Sequence, residues 1–261
     1  MKTTLYTPLM NSSMTEKTRP RYAMQLREAG ADFVWIALDR FSFFLDDRGA
    51  VMQQLAENLA YLGEQGFACG VWMQAFGFGN PLSRAEQEVT AGFTKLRSLL
   101  GNTCGDGFCP EDPAYMKRYL GWIADVAGCN PGQIMLDDDM CQSVRPGLGC
   151  ICEHHRELLA ACLAERGLAP LSGDETTWKE RFFAGQGGAD REAFLDVMGD
   201  SLRRFCHAVR GCVDGVDRSI RVGFCAGFTS WDLEGADAAE LSHILAGPDT
   251  RPFLRLTAAP Y

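Results

Sequence analysis

No apolar run in the sequence approaches the roughly 18 residues that span a membrane, so no membrane partner is expected. No cluster of lysine and arginine is long enough to grip a phosphate backbone, and the formal net charge is -9, so nucleic acid is not an expected partner either. The opening residues, MKTTLYTPLMNSSMTEK, lack the apolar core of a signal peptide, which makes the cytoplasm the expected location. There is no internal repeat, low-complexity tract or linker, so residues 1–261 read as one domain. No even, closely spaced cysteine framework is present: the eleven cysteines are odd in number and scattered, which argues against disulfides. Cys69, Cys162, Cys206 and Cys225 stand in apolar or helical contexts and read as small core residues.

What is present is ordinary in bulk, with 46% hydrophobic, 23% charged and 10% aromatic residues, enough to bury a sizeable core. The hydrophobic periodicity alternates along the chain. Strands are predicted at 3–10, 31–38, 67–77, 132–139 and 220–228, with a sixth beginning within 251–261. Helices are predicted at 17–30, 49–66, 82–99, 112–128, 152–167, 190–213 and 236–247, with a Gly/Cys-rich loop at 101–111. Strands separated by helices indicate parallel βα units, as either a doubly wound sheet or a (β/α)8 barrel. A dinucleotide-binding sheet needs a glycine-rich turn after its first strand, and NSSMTEK supplies none. The expected fold class is therefore α/β, a (β/α)8 TIM-barrel type, incomplete at about six βα units. Sheet edges left open at the first and sixth strands predict association, so a homo-oligomer is a further expectation.

Polar and aromatic groups gather where these strands end: Asp39 and Arg40, Gln74, Asp137 to Asp139, Phe228 to Trp231, and Tyr261. Barrel active sites lie on that face. Three adjacent carboxylates after the apolar run QIML are costly unless each is paired or protonated. They read as a site, as a solvated loop, or as a Mg²⁺ or Ca²⁺ site. A neighbouring carboxylate raises a pKa, which suits a proton donor. Arg40 could hold a carboxylate or a sugar hydroxyl, or could pair with Asp39. Trp72 and Trp231 are candidate sugar platforms, whereas Trp35 and Phe76 read as core. His207 and His243 lie in predicted helices and read as surface or core residues.

GLGCICEHH places Cys150, Cys152 and His155 in a C-x-C-x-x-H spacing whose thiolates and imidazole can turn onto one zinc ion. Cys109, in the loop ahead of the helix at 112–128, is the expected fourth ligand, because in a βα architecture that loop and the one after the next strand share a face. Cys104, Cys141 and His154 are reserves. The plainer alternative is two free thiols at a helix start and a solvated histidine.

The stretches GFCPEDPAYMKRYL, IMLDDDM and GCICEHHREL together resemble the central part of the family-42 glycoside hydrolases, the bacterial β-galactosidases. AGFTSWD at 226–232 resembles the family's fifth-strand region. The resemblance carries motifs over roughly 100–260, and before that only strand order. It implies a glycosidase barrel and a structural zinc on Cys109, Cys150, Cys152 and His155, a histidine replacing the family's last cysteine. Two departures follow. The family's acid/base glutamate comes after an asparagine, where this chain has Asp138 and Asp139, and the family's strand-seven nucleophile has no counterpart. The expected activity is hydrolysis of a terminal glycosidic bond, in a β-galactoside or related glycan, with Asp139 as proton donor. Asp137, Asp138, Arg40, Trp72, Gln74 and Trp231 would bind the carbohydrate. A second carboxylate about 5–9.5 Å away is required, and Asp39, Asp232 and Glu234 are the candidates. Rival readings are a non-catalytic carbohydrate binder and a metal-dependent enzyme using the triplet.

Overall fold

The apolar stretch FVWIA forms a five-residue strand whose side chains are buried on both faces, as a central parallel strand requires. The computed structural model describes residues 4–142, 147–184, 188–227 and 231–257. Six parallel strands run through it: β1 (Tyr6–Met10), β2 (Phe33–Ala37), β3 (Ala68–Met73), β6 (Gln133–Leu136), β7 (Arg221–Gly227) and β8 (Leu254–Thr257). They lie side by side in that order and curl into a half-barrel. Helices α1 (Arg19–Glu28), α3 (Gly49–Glu64), α5 (Pro113–Gly128), α6 (Glu153–Glu165), α8 (Ala189–Asp214) and α9 (Ala238–Ala246) alternate with the strands. Short α2 (Phe41–Phe44), α4 (Arg84–Val89) and α7 (Glu175–Phe183) decorate the connections. The expected α/β barrel with six strands is what the chain forms, and among the described residues the sheet is open between β1 and β8. No described helix is long and apolar enough to cross a membrane.

Alternation along each strand sorts the side chains into two layers. Val34, Ile36, Val71, Met73, Ile134, Leu136, Val222 and Phe224 face outward and pack on the helices in the main core, against Leu55, Trp122, Phe205 and Leu245 among others. Phe33, Trp35 and Met135 face inward and form a second, smaller cluster with Trp72 and Phe253. Glycines make room for the large inner rings. A Cβ on Gly70 would come within 2.5 Å of the Trp35 ring, and one on Gly223 within 2.8 Å of the Phe253 ring. The edge strand β1 leaves Tyr6 53% exposed, and on β8 Leu256 is 78% exposed.

Two expectations fail between β3 and α5. The helix predicted over 82–99 stops at Val89, and 95–97 is a strand, β4 (Lys95–Arg97). The predicted loop at 101–111 contains β5 (Thr103–Phe108), antiparallel to β4. TCGDGF has two glycines and no apolar alternation, so neither propensity nor period marks it. Helix α7 is also unforeseen. Its signal was Asp174, whose side chain caps it by accepting from the Thr177 N–H.

Candidate functional site

The ladder fixes which side chains meet at the mouth of the half-barrel. Ala37 pairs with Trp72, Trp72 with Met135, and Met135 with Gly223. Continued two residues further, the alternation leads to Asp39, Gln74, Asp137 and Cys225, and Cys225 pairs with Arg255. Backbone bonds from Leu38 N to Trp72 O, 2.9 Å, and from Asp137 N to Met73 O, 2.8 Å, carry the ladder into this layer.

Asp137 is half-buried, and its Oδ1 accepts the Asp138 N–H at 2.8 Å. Burial first, then the neighbouring Asp138 charge, raises its pKa above the ordinary carboxylate value. The Asp138 N–H, the Trp72 indole and Arg255 offset part of that rise. Trp72 Nε1 lies near the carboxylate but falls short of hydrogen-bond geometry.

Strand alternation places Asp139 on the same side as Asp137, but the ladder carries only to Asp137, and the chain turns at Asp138 and Asp139, where alternation ends. Asp139 is 1% exposed, inside the wall rather than on the concave face. Its Oδ1 accepts from Ala75 N at 2.8 Å and its Oδ2 from Gly77 N at 2.6 Å. Gly77 adopts φ +113°, and a Cβ there would meet Asp106 O at 2.1 Å, so a glycine is required where the backbone wraps this carboxylate. Burial pushes the Asp139 pKa up to about 8; the Ala75 and Gly77 N–H groups oppose the rise, and Asp137 and Asp138 add to it. The folded pKa lies above the unfolded value, so protonated Asp139 favours the fold. That contribution is complete below about pH 4 and is lost as pH rises towards 8. Urea unfolding free energy is therefore expected to fall between pH 5 and 8, at up to about 1.4 kcal/mol per pH unit. Asp139→Asn should flatten that slope. An unchanged slope in the variant would show that Asp139 is not the titrating group.

The remaining predicted site residues separate. Arg40 binds Asp106 at 2.8 Å and lies 3.6 Å from Glu86, both buried, so the partners of Arg40 lie within the protein. Trp231 donates from Nε1 to Gly227 O at 3.1 Å and packs edge-on against Phe224, an outward-facing core residue. Gln74 is half-buried at the mouth, and its carbonyl accepts the Tyr119 hydroxyl at 2.9 Å. Asp138 is half-buried beside Asp137, and its carbonyl accepts from Cys141 Sγ at 3.6 Å. Glu234 is buried and accepts from Gln142 N at 2.8 Å, whereas Asp232 is exposed. Phe228 and Tyr261 lie outside the described residues. Sequence reading did not single out Arg255. Period-two alternation from Phe253 would have placed it on the inner face.

Cys109, Cys150, Cys152 and His155 converge as their spacing predicted. All are buried, and their ligand atoms lie within 4.8 Å of one another. Cys109 Sγ is 3.2 Å from His155 Nδ1 and 3.4 Å from Cys152 Sγ. His155 Nε2 faces Ser201 Oγ at 3.2 Å, which orients Nδ1 towards the sulfurs. Burial disfavours the charged imidazole, but Cys150 and Cys152 outweigh it and raise the His155 pKa to about 10. This group can hold a metal ion. Among the described residues no other set of His, Cys, Asp and Glu side chains converges in this way, the Asp137–Asp139 triplet included.

The chain is an open parallel α/β half-barrel with a carboxyl group at its strand ends. Three β-galactosidases are among the solved structures that share that fold. A β-galactosidase from the psychrophilic Marinomonas ef1 superposes with a TM-score of 0.68 at 13% identity, covering 99% of this chain and 41% of its own. A β-galactosidase from the Antarctic haloarchaeon Halorubrum lacusprofundi gives 0.67 at 14%, covering 99% and 40%, and one from Bacillus circulans sp. alkalophilus gives 0.66 at 11%, covering 98% and 40%. The chain thus spans about 40% of the length of these structures. No protein-family model matches the sequence, and no curated protein matches it.

Proposed function

We propose that this chain hydrolyses a terminal glycosidic bond, in a β-galactoside or related glycan, with Asp137 as the proton donor. The observation that carries this reading is a half-buried carboxyl group of raised pKa on the concave face, at the strand ends of a β-galactosidase-like barrel. A general acid needs a raised pKa, and burial moves Asp137 in that direction. Asp39 is the partner that activates water. It lies two residues past the end of β2, which is two strands from β6. Neighbouring strands lie about 4.8 Å apart, so these backbones are about 9.6 Å apart, close to the roughly 6.5–9.5 Å carboxyl separation of inverting glycosidases. Trp72, one layer below, offers its ring to the sugar face.

Proton NMR of the first product from an aryl β-galactoside tests this assignment. The α-anomer is expected first, and initial release of the β-anomer would exclude Asp39 as a base acting through water. Sugar binding without hydrolysis would support a carbohydrate-binding module instead.

We propose further that Cys109, Cys150, Cys152 and His155 hold a structural zinc. Ligands about 2.0–2.3 Å from a tetrahedral ion lie about 3.5–3.8 Å apart, and the observed separations of 3.2–3.5 Å are near that. The ion would supply folding energy and take no part in the proton transfers.

A further inference from the structure

The inward face of the strands carries few charges. Alternation leads to Asp39, Asp137, Arg221 and Arg255 there. Arg221 lies over the Phe253 ring at 5.2 Å and donates from Nε to Arg251 O at 3.2 Å. Arg255 differs. Its guanidinium carbon lies 4.5 Å from the centroid of the Trp72 ring, the side chain is exposed, and it forms no ion pair or hydrogen bond among the described residues. By contrast, arginines such as Arg19, Arg48, Arg203 and Arg210 each face a carboxylate. A guanidinium held by its face on an aromatic ring keeps its N–H edge for a ligand, and that edge matches an oxyanion in two parallel hydrogen bonds. Arg255 stands two strands from Asp137, with Cys225 between them.

We propose that Arg255 is the specificity-determining group of this cleft, and that its substrate is an acidic glycan whose terminal sugar carries an anionic substituent, a carboxylate or a sulfate. This rests on the glycosidase reading and names its substrate class. The Trp72 ring fixes the guanidinium and presents the sugar face. The anion then docks on Arg255 while the glycosidic oxygen lies at Asp137. Arg255 holds down the Asp137 pKa in the free protein. A bound anion neutralises that influence, so the correct substrate leaves Asp137 better protonated.

The test is isothermal titration of the full chain with three β-linked disaccharides: one ending in a hexuronate, one in a sulfated galactose, one in neutral galactose. The wild type should bind at least one anionic sugar about tenfold or more tightly than the neutral one, as a charge-assisted pair implies. That preference should weaken with added salt, vanish in Arg255→Met and partly return in Arg255→Lys. The exposed site predicts unchanged thermal unfolding in both variants. Whichever anionic sugar prefers the wild type identifies the substituent. Equal affinity for all three, or a preference that survives Arg255→Met, overturns the inference and leaves the hydrolase reading standing. Failure of every sugar to bind, with no aryl glycoside hydrolysed, overturns both.

Discussion

Asp137→Asn is expected to lower hydrolysis of an alkyl or sugar glycoside by about 10²–10⁴-fold, the range a positioned general acid contributes. Asparagine keeps the shape of the side chain and can still accept the Asp138 N–H through its carbonyl oxygen, so the fold should survive. Three readouts separate this from structural damage. A dinitrophenyl glycoside needs little protonation of its leaving group, so the variant should lose far less activity on it. The wild-type rate should fall as pH rises through the Asp137 pKa, because the donor must be protonated, and Asp137→Asn should lose that alkaline limb. Asp139→Asn should retain turnover in the folded fraction, because both Asp139 oxygens face backbone N–H groups rather than the cleft. Equal losses on good and poor leaving groups would remove Asp137 from the donor role. Loss of turnover in folded Asp139→Asn would return that role to the inner carboxylate.

The contrast between these two aspartates shows what the sequence made legible. QIML followed by three aspartates marked a buried strand ending in a charged mouth, and the mouth is there. Which carboxylate faces the cleft was not legible, because it depends on a turn at Asp138 and Asp139 that interrupts the period of two. The partners of Arg40 were hidden for a related reason. Asp106 lies in a glycine-containing strand without alternation, and only tertiary packing brings it to Arg40. The six parallel strands were legible because each is an apolar run of strand length between helical periods. The cysteine–histidine group was legible because C-x-C-x-x-H is a local spacing and Cys109 precedes a recognisable Asp–Pro helix start. Ser201 was not, since nothing in the interior of a long helix marks one serine as facing His155.

Removal of the proposed zinc is expected to have the largest effect on stability. The cluster joins the segment after β5 to the start of α6, and through Ser201 it reaches α8, so one ion would tie together three segments distant in sequence. Apparent zinc-binding energies in small domains run at about 10–16 kcal/mol, comparable with the whole stability of a domain. Without an ion, three thiols and an imidazole remain enclosed in the core with no disulfide to join them. Chain purified without chelator should contain about one zinc per molecule by atomic emission. Cys150→Ser should lose it and unfold at markedly lower temperature, and a strong chelator should do the same to the wild type. His155→Cys completes a four-thiolate set and should retain the metal, whereas His155→Ala should not. Ser201→Ala, which removes only the group orienting the imidazole, should weaken zinc binding by about 10–100-fold in a competition titration. A metal-free wild type whose unfolding matches that of Cys150→Ser would show that the four side chains are packed core residues. The hydrolase assignment would then rest on the barrel and Asp137 alone, and the leaving-group comparison would decide it independently.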